Sequence, residues 1–298
     1  MKALVDADVL LYEIGFACEY GKEEIPSFEY VKEVFHARLQ SILDTVEATD
    51  YTLYLTGKDN FRIDIAKRKP YKGNREDKKP FHYHNLKAYI LATQPSVLVE
   101  GMEADDAMAI EQTRYLERSK QTMYDMEVDG IIERHYDGKN DYLEVHSSSI
   151  ICTRDKDLRM VEGLHYGWES GKQGEYGPKF VDEIGSLSKV IKRKTVKGEE
   201  QDVWDDTKGE GIKFFYFQLL TGDGVDNIPG CPGVGHKGAY NLLCDLTEEK
   251  EMYRVVFQQY CDKYAENPFE ELLEQAHLLW MVREVDEDDK PVMWTPPI

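Results

Sequence analysis

The chain pairs none of its five cysteines in a CxxC motif; Cys18, Cys152, Cys231, Cys244 and Cys261 are scattered. That spacing argues against a zinc site or a disulfide framework, and reduced thiols suit a cytoplasm. No apolar run is long enough to span a bilayer. The opening residues MKALVDADVLL carry no signal-peptide pattern and read as a strand. A GxxxxGK phosphate loop and a GxSxG elbow are both absent, so neither of those chemistries is indicated. Positive charge is short as well: 37 Lys and Arg face 57 Asp and Glu, for a net charge of −20. This excludes a broad basic surface for nucleic acid. Two local basic segments remain. One holds Lys67, Arg68, Lys69, Lys72, Arg75, Lys78 and Lys79, the other Lys189, Lys192, Arg193, Lys194 and Lys197.

At 298 residues and 41% hydrophobic content, the chain can bury a sizeable core. Strand patterns fall at residues 2–6, 51–56, 96–99 and 148–153, and helix patterns at 28–49, 83–93 and 104–118. This alternation predicts an α/β fold with a mostly parallel central sheet flanked by helices. Residues 57–80 read as a polar, basic loop or arch. The stretches 121–144 and 167–211 read as hairpins or mobile loops. A helical region begins near residue 213. The expected division is 1–168 for the α/β core including the arch, 169–211 for an insertion, and 212–298 for the helical region.

What is abundant is acid in short clusters. Nine carboxylates form four of them: Asp6 and Asp8; Glu103, Asp105 and Asp106; Asp155 and Asp157; Asp223 and Asp226. No His or Cys shares these clusters, so they suit hard cations such as Mg²⁺ or Mn²⁺. Each cluster alone is explained as well by helix capping or an Asx turn. Four of them at strand ends and helix starts favour one shared site, where ligands of parallel sheets gather. Asp6 with Asp8, and Asp155 with Asp157, are expected to project together from extended segments. Glu103 and Asp106 are expected to share a helix face.

Two further segments point to phosphate. Gly230 to Ala239 contains Gly233-Val234-Gly235-His236-Lys237, where glycines allow close backbone approach and a helix start offers free N–H groups. Tyr71-Lys72-Gly73-Asn74-Arg75 joins an aromatic to cations, a pairing suited to nucleic acid. His82 and His84 lack companions at ligand spacing and read as surface or packing residues.

Taken in order, VDAD, YKGNR, EADD, TRDKD and TGDGVDNIPGCPGVGHKGA resemble the flap-endonuclease or 5′→3′ exonuclease family. That family includes the nuclease domain of bacterial DNA polymerase I and stand-alone bacteriophage enzymes. The resemblance implies a PIN/5′-nuclease-like core with a helix–hairpin–helix-type motif in the C-terminal region. It implies a structure-dependent deoxyribonuclease acting on duplex with a 5′ end, flap or nick, or on an RNA primer in a hybrid. Phage DNA replication in the host cytoplasm is the implied setting. Two Mg²⁺ or Mn²⁺ ions would be held by Asp6, Glu103, Asp105, Asp106, Asp155, Asp157, Asp223 and Asp226. Tyr71, Lys72 and Arg75 would be catalytic. Arg62, Gly233, Val234, Gly235, His236 and Lys237 would meet nucleic acid, with K⁺ at the hairpin. The family's acid after the second strand is replaced by Gly57, with Asp59 the nearest substitute. A family lysine is replaced by Gln218. A PIN-type ribonuclease and a non-catalytic DNA-binding module with a degenerate acid site are the other readings.

Overall fold

The computed structural model describes residues 1–22, 24–76, 78–128, 147–196 and 199–297. Six strands form the central sheet: β1 (Lys2–Asp6), β2 (Asp50–Asn60), β3 (Ser96–Gly101), β4 (Ser149–Cys152), β5 (Gly163–Gly167) and β6 (Tyr176–Val181). Their spatial order is β3-β2-β1-β4-β5-β6. The first five run parallel, and β6 joins antiparallel to β5. The chain moves outward from β1 through β2 to β3, then returns to the other side of β1 with β4. The strand order therefore reverses beside β1, which leaves a crevice at its carboxyl end.

Alternation along the strands divides the core between two faces. Ala3 and Val5 pack with helices Ala7–Glu19, Phe28–Thr45 and Tyr83–Thr93. Leu4 and Ile151 face the other way, onto helices Ala104–Val128, Gly211–Thr221, His236–Leu243, Glu249–Lys263 and Pro268–Leu279. The 212–298 region thus shares a core with the sheet, and the sheet itself continues beyond residue 168 through β6. No helix among the described residues is long and apolar enough to cross a membrane.

Several expectations shift. A helix begins directly at Ala7, because Leu10, Leu11, Ile14 and Cys18 line one buried stripe and Asp6 caps it, accepting from Val9 N at 3.0 Å. Asp8 therefore lies in a first helical turn, not in an extended run. Asp157 likewise opens a tight 3₁₀ turn, Asp157–Met160. The helix expected at 104–118 runs on to Val128. The turn signals at Asp129-Gly130 and Asp137-Gly138 fall outside the described residues, as does Lys197. Of the 57–80 stretch, β2 takes residues up to Asn60 and a short helix takes Phe61–Ile65.

Within the 169–211 insertion lies a hairpin of β7 (Leu187–Val196) and β8 (Glu199–Gly209). Its base is closed by reciprocal backbone bonds between Ser186 and Glu210 at 3.2 and 2.9 Å. Trp204 anchors it to the C-terminal helices, stacking edge-on against Tyr240 with Lys189 over both rings.

Candidate active site

Asp6 ends β1, Glu103 and Asp105 open the helix after β3, Asp155 follows β4, and Asp223 and Asp226 sit in the loop after Gly211–Thr221. The topology therefore brings these acids to one mouth. Asp6 Oδ2 accepts from Thr153 Oγ1 at 2.7 Å, and Thr153 Oγ1 in turn accepts from Asp155 N at 3.0 Å. Asp155 Oδ1 accepts from Asp157 N at 2.9 Å. One hydroxyl thus links the ends of β1 and β4. Asp8 reaches across to β2, accepting from Thr56 N at 2.8 Å.

The electrostatics separate these acids into two kinds. Burial, then the charges of Asp8 and Asp155, push Asp6 up to about 7. Asp157 is also raised to about 7, by burial and then by Asp155. Asp105 is raised well above the carboxylate range by burial, then by Asp6, Asp155 and Glu103. Burial raises Asp155 as well. Glu103 and Asp223 go the other way. Burial opposes their charge, but Lys72 and Arg62 hold Glu103 down and Lys156 holds Asp223 down.

The cations responsible bridge the acids. Lys72 Nζ lies 2.5 Å from Glu103 Oε1 and 3.8 Å from Asp226 Oδ2. Tyr71 Oη donates toward the same two residues, at 3.0 and 2.9 Å. Arg75 pairs with Asp226. Backbone contacts zip this segment to the 223–227 loop: Lys72 N donates to Asp226 O at 3.0 Å, and Asn227 Nδ2 donates to Pro70 O at 2.9 Å. Lys156 was passed over in the sequence, although it stands between two acids in TRDKD. Its ammonium sits 2.6 Å from Asp223 Oδ2 and 3.2 Å from Asp157 Oδ1. Gln218 Nε2 donates to the same pair, to Asp157 Oδ1 at 2.7 Å and to Asp223 Oδ2 at 3.2 Å.

The donor set is entirely oxygen, which fits a hard divalent cation. No three such side chains among the described residues close on one point at ligand distances.

Two expected site residues are placed elsewhere. Arg62, expected to meet nucleic acid, is fully buried. Asp106, expected to hold metal, spends both oxygens on the Arg62 guanidinium at 2.6 and 2.7 Å. One position along the helix turns Asp106 into the core while Asp105 points to the acids. Asp59 is exposed and enters none of the contacts described among the acids. At Gly57 a Cβ would come within 2.6 Å of the Glu100 carboxylate, so Glu100 fills the room a side chain there would take. His82 packs as expected, with its ring nitrogen 2.8 Å from Pro26 O.

The glycine segment is a loop into helix His236–Leu243. Gly233 takes a φ of 78°, and a Cβ on Gly235 would meet no atom within 4 Å. An open cleft of about 550 Å³ lies here, lined by Gly233 to Gly238 with Gln259 and Lys263. His236 Nδ1 is 3.0 Å from Asp206 Oδ1 of the hairpin, and Lys237 lies over Trp204.

No family model and no curated protein matches the chain. Solved structures do. A structure of T5 D15 protein co-crystallised with metal ions aligns over 92% of this chain and 88% of its own, with TM-score 0.52 and 14% identity. A complex of bacteriophage T5 D15 flap endonuclease with DNA and metal ions aligns over 97% and 94%, with TM-score 0.52 and 15% identity. This chain therefore has the fold of a phage 5′-nuclease.

Proposed function

We propose that the protein is a structure-dependent 5′→3′ exonuclease or flap endonuclease that hydrolyses DNA phosphodiester bonds. The observation that carries this reading is the convergence of Asp6, Glu103, Asp105, Asp155, Asp157, Asp223 and Asp226 at the carboxyl end of the central strands, faced by Tyr71, Lys72 and Arg75. Metal-dependent chemistry on DNA fits the fold shared with the T5 D15 structures. Asp6, Glu103, Asp105 and Asp155 would hold one Mg²⁺ or Mn²⁺, and Asp157, Asp223 and Asp226 a second. Such ions supply an activated water and stabilise the leaving oxygen.

The chain's own residues do the rest. Lys72 and Arg75 exchange carboxylate partners for the incoming phosphate and place positive charge where the transition state gathers negative charge. Tyr71 stays protonated, because burial and then Glu103 push its pKa far above the ordinary phenol range. Its hydroxyl ties the cationic segment to both acid groups. The backbone from Gly233 to Lys237 would bind a duplex strand through phosphates, with K⁺ as an added ligand, which predicts little sequence preference.

The deciding experiment is cleavage of a labelled 5′-flap duplex with Mg²⁺ and with EDTA, beside single-stranded RNA. Mg²⁺-dependent loss of the flap supports the proposal. Cleavage of RNA alone would move the protein to the PIN-type ribonucleases, and flap binding without cleavage would leave a DNA-binding module.

A further inference from the structure

Arg62 and Asp106 form a buried ion pair that the chemistry above does not use. Arg62 Nε donates to Leu278 O at 3.0 Å, and Nη2 donates to Trp280 O at 2.6 Å as well as to Asp106. Asp106 also accepts from Val282 N at 3.1 Å and from Glu103 N at 3.2 Å. Arg62 Nη1 stands 3.9 Å from Glu103 Oε2. Three distant stretches meet at this fork: the segment after β2, the start of helix Ala104–Val128, and the chain after helix Pro268–Leu279.

A pair this desolvated gains little stability over a well-packed apolar pair of the same size. What it supplies is direction. Glu103 is gripped at its amide by Asp106, while its carboxylate is faced by the same guanidinium that holds Asp106. We propose that the Arg62–Asp106 pair is a positioning unit for Glu103, which makes the candidate active site depend on residues 278–282. The proposal rests on the nuclease reading above. It requires the planar fork of arginine, since a lysine offers one ammonium in place of parallel donors. Loss of outer partners of this kind typically costs about 10- to 100-fold in metal affinity or activity.

The test compares Arg62→Lys, Asp106→Asn and Glu103→Gln, and the double variant Arg62→Lys/Glu103→Gln. Three properties are read: single-turnover cleavage of the 5′-flap duplex at saturating Mg²⁺, Mn²⁺ affinity by calorimetry, and duplex affinity in Ca²⁺. Arg62→Lys and Asp106→Asn should each lower rate and Mn²⁺ affinity by about 10- to 100-fold. Duplex affinity should change by less than about twofold, and in the Glu103→Gln background Arg62→Lys should cost less than about twofold more. An undiminished loss in that background overturns the proposal. So does a folded Arg62→Lys protein with wild-type rate and Mn²⁺ affinity. Should a single variant fail to fold, the apolar pair Arg62→Met/Asp106→Leu carries the same readouts. If the wild type binds Mn²⁺ but cuts no substrate, the nuclease reading fails while the Mn²⁺ comparison still decides the positioning role.

Discussion

Raising pH from about 4 up through 7 in the absence of divalent ions should destabilise this protein. Asp6 and Asp157 sit at about 7 in the folded chain, against an ordinary value near 4. Folding therefore takes up protons at these groups, and their contribution to stability falls as pH rises through 7. His165, pushed down to about 4 by burial, acts with the opposite sign below its ordinary value of 6.5. Comparing pH 6.5 with pH 8 leaves most of its contribution out. Between those two points, each carboxyl accounts for about 0.8 kcal/mol, so in a chain of 298 residues the pair should lower Tm by roughly 2–3 °C. Mg²⁺ should reverse the trend, because it binds the ionised acids and its affinity rises with pH. The assay is thermal melting at both pH values, in EDTA and in Mg²⁺, for the wild type and for Asp6→Asn. The variant should show a shallower slope. A Tm in EDTA that rises from pH 6.5 to 8, or a Mg²⁺ gain of the same size at both, would refute the reasoning.

Asp155→Asn should abolish cleavage and leave duplex binding in Ca²⁺ intact, as it removes charge with little change of shape; wild-type turnover at saturating Mg²⁺ would take Asp155 out of the site. Lys72→Ala should slow single-turnover cleavage by about 100- to 1000-fold, the range for one lost transition-state donor. An unchanged rate with weaker, less salt-dependent binding would make Lys72 a general phosphate contact instead. Gly235→Val should weaken duplex binding while melting stays unchanged, because a Cβ there meets nothing within 4 Å. Equal loss on single-stranded DNA would point to a different contact.

Local patterns carried most of the fold. Strands β1 to β4 were legible from short apolar runs and the helix at Tyr83–Thr93 from its periodicity, whereas β5 and β6 were not placed. Helix Ala7–Glu19 was missed because Asp6 and Asp8 suit a strand end as well as a cap and first turn. The convergence of the acids could be read from topology, since Asp6 and Asp155 flank the switch beside β1. The role of Arg62 could not. Its partners include two main-chain carbonyls, which leave no mark in the side-chain sequence, and they lie 216 and 218 residues further along. The expectation that Asp106 shares a face with Glu103 chose the wrong neighbour, because the helix turns Asp105 toward the acids and Asp106 onto Arg62 in the core. Lys156 was visible but hidden by its setting, a cation between two acids in a motif read for its carboxylates.

That long reach from Arg62 also has a meaning in time. A ribosome adding about 5–20 residues per second needs roughly 10–40 s to travel from residue 62 to residue 278. Throughout that interval the guanidinium has only water where the carbonyls of Leu278 and Trp280 belong, and Asp106 waits for the amide of Val282. The fork can close only once residue 282 has been made. A nascent chain thus carries Glu103 and Asp106 long before the main-chain groups that complete their setting exist.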